Sequence, residues 1–316
     1  MPSSDRRPGE HARDRPPAAS ASGALDRAEP LAAALPPLLV EAERVAAAVA
    51  QGLHGRRRAG IGETFWQYRR YEAGDRPQSI DWRRSARADP VFVREREWEA
   101  AQTVWLWADA SGSMDYASAR GVPRKAERAA LLALALAVML ERAGEGFALL
   151  DADPLRARPA GGGRPALHRL AEALVRAPAT ATAGPPAAPV PRHAQVVLIG
   201  DFLAPLPETA ARLRGLVDAG ARGVLVQVLD PAEEAFPFRG RLRFDGLEGE
   251  EGLLADRAEA LRTAYQERLR DHRAGLAALA RSADWRLLVH HTDQPPTPML
   301  MALYLALSGG RVPKAW

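Results

Sequence analysis

The sequence predicts an α/β protein with a doubly wound, mainly parallel sheet. From residue 103 onward, short apolar runs rich in β-branched and aromatic residues alternate with longer stretches of helical periodicity. Three of these runs, at 103–108, 195–200 and 223–229, are almost continuously apolar, which is typical of parallel strands covered on both faces. Right-handed crossovers between such strands place helices on both sides of the sheet.

Each element of this α/β region is assigned from its own pattern. The first helix is the most apolar, and Pro123 is well placed to open it. The predicted strands span 103–108, 146–151, 154–158 (a short edge strand), 195–200, 223–229 and 285–290, and the predicted helices span 126–142, 165–176, 207–219, a long segment within 253–282, and 298–307.

The chain divides into three parts by composition. Residues 1–30 are rich in Pro, Ala, Ser and Arg, which predicts a disordered tail. Residues 31–100 predict a helix followed by a β-rich extension, and residues 101–316 form the α/β domain.

The β-rich extension interleaves aromatic, arginine and acidic residues. A helix is predicted over 38–51, and strands are predicted at 65–71 and 91–98. We expect arginine–carboxylate pairs, with Asp81 among them, to fix the extension. We also expect its aromatic rings to be buried against the α/β domain, because so much apolar surface is costly to leave in water.

Composition excludes several classes of function. The chain has no cysteine, so thiol catalysis and cysteine-bound zinc are excluded. Its only lysines, Lys125 and Lys314, do not follow a phosphate-binding glycine loop. The acidic residues of the extension would repel nucleic acid, and the longest apolar run, 129–140, is too short to span a membrane. Adjacent His290 and His291 alternate on a strand and cannot readily bind one ion. We expect a cytoplasmic protein.

A polar loop directly follows the first strand of the α/β domain. It places Asp109, Ser111 and Ser113 at alternate positions around Gly112, so their oxygens can converge if the chain turns there. Hard oxygen donors without histidine or cysteine are suited to Mg²⁺. The alternative is that these residues only make turn hydrogen bonds or cap the next helix.

Two further strands also end in an acidic residue, Asp201 and Asp230. Parallel strands bring their carboxyl ends to one edge of the sheet, so these acids could meet the first loop at a single cation. The arrangement resembles the von Willebrand factor A domain and its metal-ion-dependent adhesion site. That resemblance implies that Ser111 and Ser113 bind Mg²⁺ directly. It also implies that Asp109 and Asp201 support the ion, with one position left open for a partner's carboxylate.

One departure from the von Willebrand pattern concerns a threonine ligand in a glycine-rich loop. The corresponding loop here, 161–165, contains no threonine and carries Arg164. Arg164 would bring positive charge toward the cation or replace it.

A second resemblance covers the chain from about residue 52 to the end. The chain is similar to the bacterial domain-of-unknown-function family numbered fifty-eight, whose members carry a von Willebrand A-like domain. The resemblance rests on the ordered segments 69–76, 80–83, 85–87, 109–114, 229–233 and 237–238. It implies partnership with a MoxR-type AAA+ ATPase and a client protein, in protein maturation or complex assembly.

Three functions are compatible with these observations. The first is a non-enzymatic adaptor whose Mg²⁺-loaded edge binds an acidic side chain on the ATPase or the client. The second is a metal-dependent hydrolase in which Asp81, Asp109 and Asp201 activate water, although no nucleophile–base pair is evident. The third is a structural scaffold whose metal site has been lost through Arg164.

Overall fold

The computed structural model describes residues 37–50, 65–71, 82–86, 91–96, 103–151, 159–160, 163–176, 184–247 and 252–307. In chain order its elements are α1 (residues 37–50), β1 (Phe65–Arg70), α2 (Trp82–Ser85), β2 (Phe92–Arg96), β3 (Thr103–Ala108), α3 (Lys125–Arg142), β4 (Gly146–Leu149), β5 (Pro159–Ala160), α4 (Arg164–Val175), β6 (Gln195–Gly200), α5 (Leu206–Asp218), β7 (Arg222–Leu229), α6 (Pro231–Ala235), β8 (Leu242–Phe244), β9 (Leu253–Ala255), α7 (Arg262–Ser282), β10 (Arg286–His291) and α8 (Pro296–Leu307).

The central sheet has the strand order β10-β7-β6-β3-β4-β5. Its first five strands in that order are parallel, and only the two-residue β5 at the edge is antiparallel to its neighbour. The prediction of a mainly parallel sheet flanked by helices is confirmed, and β3 and β6 have the predicted bounds.

Alternating side chains of the strands build two separate cores. In β3, Val104 and Leu106 pack with α1, α3, α4 and α8, while Trp105 and Trp107 pack on the opposite face with α5 and α7. The sheet is therefore covered by helices on both faces, which explains why its strands are apolar throughout. None of the described helices combines the length and apolar character needed to cross a membrane.

Close packing on the second face depends on a glycine in β7. A Cβ added at Gly223 would lie 2.0 Å from the ring of Trp285, so only glycine fits beside the indole. The indole is held in place because its Nε1 donates a hydrogen bond to the carbonyl of Ala221 at 2.8 Å.

The extension contains the two predicted strands, β1 and β2, paired antiparallel. The expectation that all its aromatic rings are buried is wrong for two of them, since Trp82 is 66% exposed and Tyr71 is 40% exposed. The predicted tail at 1–30, the edge strand at 154–158 and Asp81 lie outside the described residues.

A hairpin between β7 and α7 is absent from the sequence-based assignment. Strands β8 and β9 pair antiparallel over three residues each, and α7 begins only at Arg262. Phe236 packs against Phe238, Phe244 and Tyr265, with ring centroids 4.8–5.8 Å apart. Strands of three residues are too short to show an alternating pattern in the sequence, so periodicity does not predict them. The aromatic residues beside them are the feature that indicates this packed segment.

Candidate functional site

The strand order places a topological switch point between β3 and β6. The chain leaves β3 toward β4 on one side, and the next parallel strand, β6, lies on the other side of β3. Crevices at such points, at the carboxyl ends of the strands, are where open α/β sheets bind ligands. Asp109 follows β3 directly and Asp201 follows β6 directly, so both acids border this crevice.

The loop after β3 turns as its sequence predicts. The Asp109 amide donates to the carbonyl of Ile199 at 2.8 Å, which extends the pairing of β3 with β6. The carboxylate of Asp109 then accepts the amide of Ser111 at 2.8 Å, and a single 3₁₀ turn follows at Gly112–Met114. Asp109 therefore makes the turn hydrogen bond that the alternative hypothesis predicts. This bond does not exclude metal binding at the same loop.

The structure brings the four predicted site residues into one chain of contacts. The hydroxyl oxygens of Ser111 and Ser113 lie 3.2 Å apart, and Ser113 Oγ donates to Asp201 Oδ2 at 2.7 Å. Gly200 leaves room for the Asp109 side chain, because a Cβ there would lie 3.0 Å from the Cβ of Asp109 and 3.1 Å from its Oδ2. The loops that follow the neighbouring strands β3 and β6 are thus connected.

A lysine that the sequence analysis did not assign to the site lies at its centre. Lys125, the first residue of α3, is 1% exposed. Its Nζ donates to Asp201 Oδ2 at 3.0 Å and to Glu233 Oε1 at 2.6 Å. Ser113 and Lys125 therefore donate to the same carboxylate oxygen, and a fixed positive charge already contacts the acidic cluster.

The third acid of the site is Glu233 and not the strand-terminal Asp230. Asp230 caps α6 by accepting the amide of Ala232 at 2.8 Å, and its other oxygen accepts the amide of Ser118 at 2.9 Å. Glu233 closes the capping box by accepting the Asp230 amide at 2.8 Å, which leaves its second oxygen for Lys125. The expectation that Asp230 faces a shared cation is replaced by this capping role.

Burial dominates the electrostatics of the site. It raises the pKa of Asp109 to about 6, against the lowering effect of the Ser111 amide, and the nearby charge of Asp201 raises it further. Burial also raises the pKa of Glu233 despite the opposing charge of Lys125. For Lys125, burial would lower the pKa, but Asp201 and Glu233 together raise it, so the ammonium stays protonated.

Arg164 does not supply the positive charge at the site. Its guanidinium lies 3.5 Å from Glu43 on α1, and its side chain is 80% exposed. The expectation that Arg164 faces the cation or replaces it is wrong, because α4 follows the edge strand β5 and packs against it, whereas the switch point lies between β3 and β6. Lys125 is the residue that brings charge to Asp201.

The two adjacent histidines face opposite sides of β10, as their positions predict. His291 Nε2 hydrogen-bonds to Glu234, which also accepts Arg273 Nη1 at 2.8 Å. His290 is 2% exposed on the other face, and burial together with Arg128 lowers its pKa to about 3. Neither histidine contacts the serine loop within the described residues. Among the residues that the structure describes, no group of three His, Cys, Asp or Glu side chains is arranged to hold a metal ion.

One signal in the sequence points to Lys125. Only two of the 43 basic residues are lysines, so the chain uses arginine almost everywhere else. A lysine at the start of the most apolar helix is then an unusual choice. Lysine provides a compact point charge on a thin stem, whereas the planar guanidinium of arginine needs more room.

Comparisons with known proteins identify the family. The model of the family described as "Protein of unknown function DUF58" matches residues 67–275. The chain belongs to this family. It is similar to uncharacterized proteins of Mycobacterium tuberculosis (Rv1480) and Mycobacterium bovis (Mb1516). Each is 27% identical over 277 residues, which cover 84% of this chain and 86% of the relative. No solved structure matches the chain.

Proposed function

We propose that this DUF58 protein is a non-enzymatic protein-binding module. Asp109, Ser111, Ser113 and Asp201, here called the switch-point site, would bind a divalent cation, and the cation would bind a carboxylate of a partner protein. The observation that carries the proposal is the chain of contacts from Asp109 through Ser111 and Ser113 to Asp201. The same four residues match the metal-ion-dependent adhesion site of the von Willebrand factor A domain, to which we assign the α/β domain.

Two properties of the site fit a cation such as Mg²⁺. The 3.2 Å between the Ser111 and Ser113 hydroxyl oxygens is close to the ~3 Å between neighbouring ligands of an octahedral ion with bonds of about 2.1 Å. The carboxylates of Asp109, Asp201 and Glu233 also outnumber the single ammonium of Lys125, so a net negative charge remains. When bound, Mg²⁺ would supply an open coordination position for an anionic ligand.

The protein's own residues would orient the ion. The two serines supply direct oxygen ligands, since their hydroxyls face each other across the turn. Asp109 and Asp201 contribute negative charge beside the two serines without binding the ion directly. The hydrogen bond from Ser113 to Asp201 fixes the rotamer of the serine. The missing threonine leaves one ligand fewer than in the von Willebrand pattern.

We further propose that the partner is a MoxR-type AAA+ ATPase acting with a client protein, on the strength of the family resemblance. The test is retention of a purified MoxR-type ATPase from the same bacterium by the immobilised full-length chain. We expect retention in Mg²⁺ and loss of retention in EDTA or with Ser113→Ala. His168→Ala, on the exposed side of α4, is the matched control and should behave as wild type.

Two outcomes would reject this function. Equal retention in Mg²⁺ and EDTA by both wild type and Ser113→Ala would show that the site does not mediate binding. Turnover of phosphoester or peptide substrates that Mg²⁺ supports and Asp109→Ala abolishes would favour the metal-dependent hydrolase.

A further inference from the structure

We infer that Lys125 is a built-in counter-cation of the switch-point site. It keeps the site assembled when no metal is bound, and it lowers the affinity of the site for divalent cations. This inference rests on the proposed function in treating the serine loop as the place where a cation binds. It concerns a residue that has no counterpart among the ligands assigned above.

The first support is the position of the ammonium. Lys125 Nζ contacts carboxylates that follow two different strands, Asp201 after β6 at 3.0 Å and Glu233 after β7 at 2.6 Å. Both lysine and aspartate side chains are almost fully buried, at 1% and 3% exposure. A buried carboxylate without a positive partner is strongly destabilising, so this ammonium holds the two strand ends together.

The second support is the shared hydrogen-bond acceptor. Asp201 Oδ2 accepts both Ser113 Oγ at 2.7 Å and Lys125 Nζ at 3.0 Å. A divalent cation bound to Ser113 would therefore lie close to an ammonium that cannot withdraw into solvent. Repulsion between a double and a single positive charge at such range weakens binding by about tenfold or more.

The third support is the way Glu233 is fixed. Its Oε2 accepts the Asp230 amide in the capping box of α6, so the carboxylate that faces Lys125 is held by the backbone. Lys125 is fixed at its other end, because its own amide donates to the Tyr116 carbonyl at 3.1 Å. The positive charge is thus part of the framework of the site and is not a mobile side chain.

Two substitutions test the inference in opposite directions. Lys125→Met removes the charge and keeps the apolar stem, and Glu233→Gln removes one of the two acids that neutralise it. Titration calorimetry with Mn²⁺ and with Mg²⁺ alone should give at least tenfold tighter binding for Lys125→Met and at least threefold weaker binding for Glu233→Gln. General disruption of the site would weaken binding in both variants.

Arg124→Met is the matched control. It removes a positive charge from the adjacent residue, but that side chain is 57% exposed and pairs with Asp115. Solvent screens such a charge, so the affinity for Mn²⁺ should stay within twofold of wild type.

Thermal unfolding gives a readout that is independent of partner binding. In EDTA, Lys125→Met should melt well below wild type, and Mn²⁺ should raise its melting temperature more than it raises that of wild type. If Lys125→Met does not fold in EDTA, refolding with Mn²⁺ and the Glu233→Gln titration still test the inference.

The results separate this inference from the proposed function. Binding of Mn²⁺ by Lys125→Met but not by wild type would support the counter-cation and reject a metal-loaded wild-type site. Unchanged or weaker affinity in Lys125→Met, or no binding in either protein, would overturn the counter-cation, whatever the ATPase retention assay shows.

Discussion

Lys125 Nζ and Glu233 Oε1 lie 2.6 Å apart although 108 residues separate them in the chain. The contact joins the first turn of α3 to the capping box of α6. The same ammonium also donates a hydrogen bond to Asp201. Three segments that leave the sheet at different strands thus meet through one ammonium.

Replacing Asp201 with asparagine should destabilise the protein by about 2–4 kcal/mol, because Lys125 loses the fully buried one of its two counter-charges. The loss is measured by urea unfolding at pH 7 in EDTA. Asp218→Asn, at the exposed end of α5, should change the unfolding free energy by less than about 0.5 kcal/mol. An equal effect of the two substitutions would show that the buried ion pair contributes no special stability.

Asp109→Asn should leave the fold intact and should not lower its stability in EDTA. The asparagine side-chain oxygen can still accept the hydrogen bond of the Ser111 amide. The substitution also removes the repulsion between the negative charges of Asp109 and Asp201. Partner retention in Mg²⁺ should nevertheless be lost. A large drop in the melting temperature of Asp109→Ala in EDTA, with no such drop for Asp109→Asn, would indicate that Asp109 is chiefly a structural turn residue.

His290 should make the protein less stable in acid. Its pKa is about 3 in the folded protein, lowered by burial and by Arg128, against about 6.5 in the unfolded chain. The unfolded state therefore binds the proton first, and stability present above pH 6.5 is lost as the pH falls toward 3, by up to about 1.4 kcal/mol per pH unit.

The comparison for His290 is His290→Leu, with the exposed His168→Leu as control. Between pH 7 and pH 5, wild type should lose about 1–2 kcal/mol more than His290→Leu. His168→Leu should follow wild type. Parallel pH profiles for wild type and His290→Leu would show that this buried imidazole is not linked to unfolding.

Two glycine-to-alanine substitutions should have opposite effects on stability. Gly223→Ala places a methyl group 2.0 Å from the Trp285 ring, and should destabilise the protein by about 3 kcal/mol or more. Gly215→Ala, within α5 where the added methyl group meets no atom within 4 Å, should stabilise it by about 0.5–1 kcal/mol. Chemical denaturation measures both, and destabilisation by Gly215→Ala would contradict the packing described here.

The layers of the fold and the serine loop follow from local patterns in the amino-acid sequence. Strands β3 and β6 could be bounded to the residue because an apolar run covered on both faces ends abruptly in an acid. Such patterns are local, since burial on both faces and the turn after it act on consecutive residues. The predicted convergence of Asp109 and Asp201 followed from the common direction of parallel strands.

Which charged side chains form ion pairs depends on how the helices and strands pack together. Asp230 and Glu233 lie in one short segment, and the sequence favours the strand-terminal acid, but the capping of α6 turns Asp230 to backbone amides and Glu233 to Lys125. The position of its loop predicts Arg164 near the cation, whereas the path of α4 places it beside Glu43. Ion pairs form between side chains 76 and 108 residues apart, so they depend on strand order and helix packing, which no local pattern specifies.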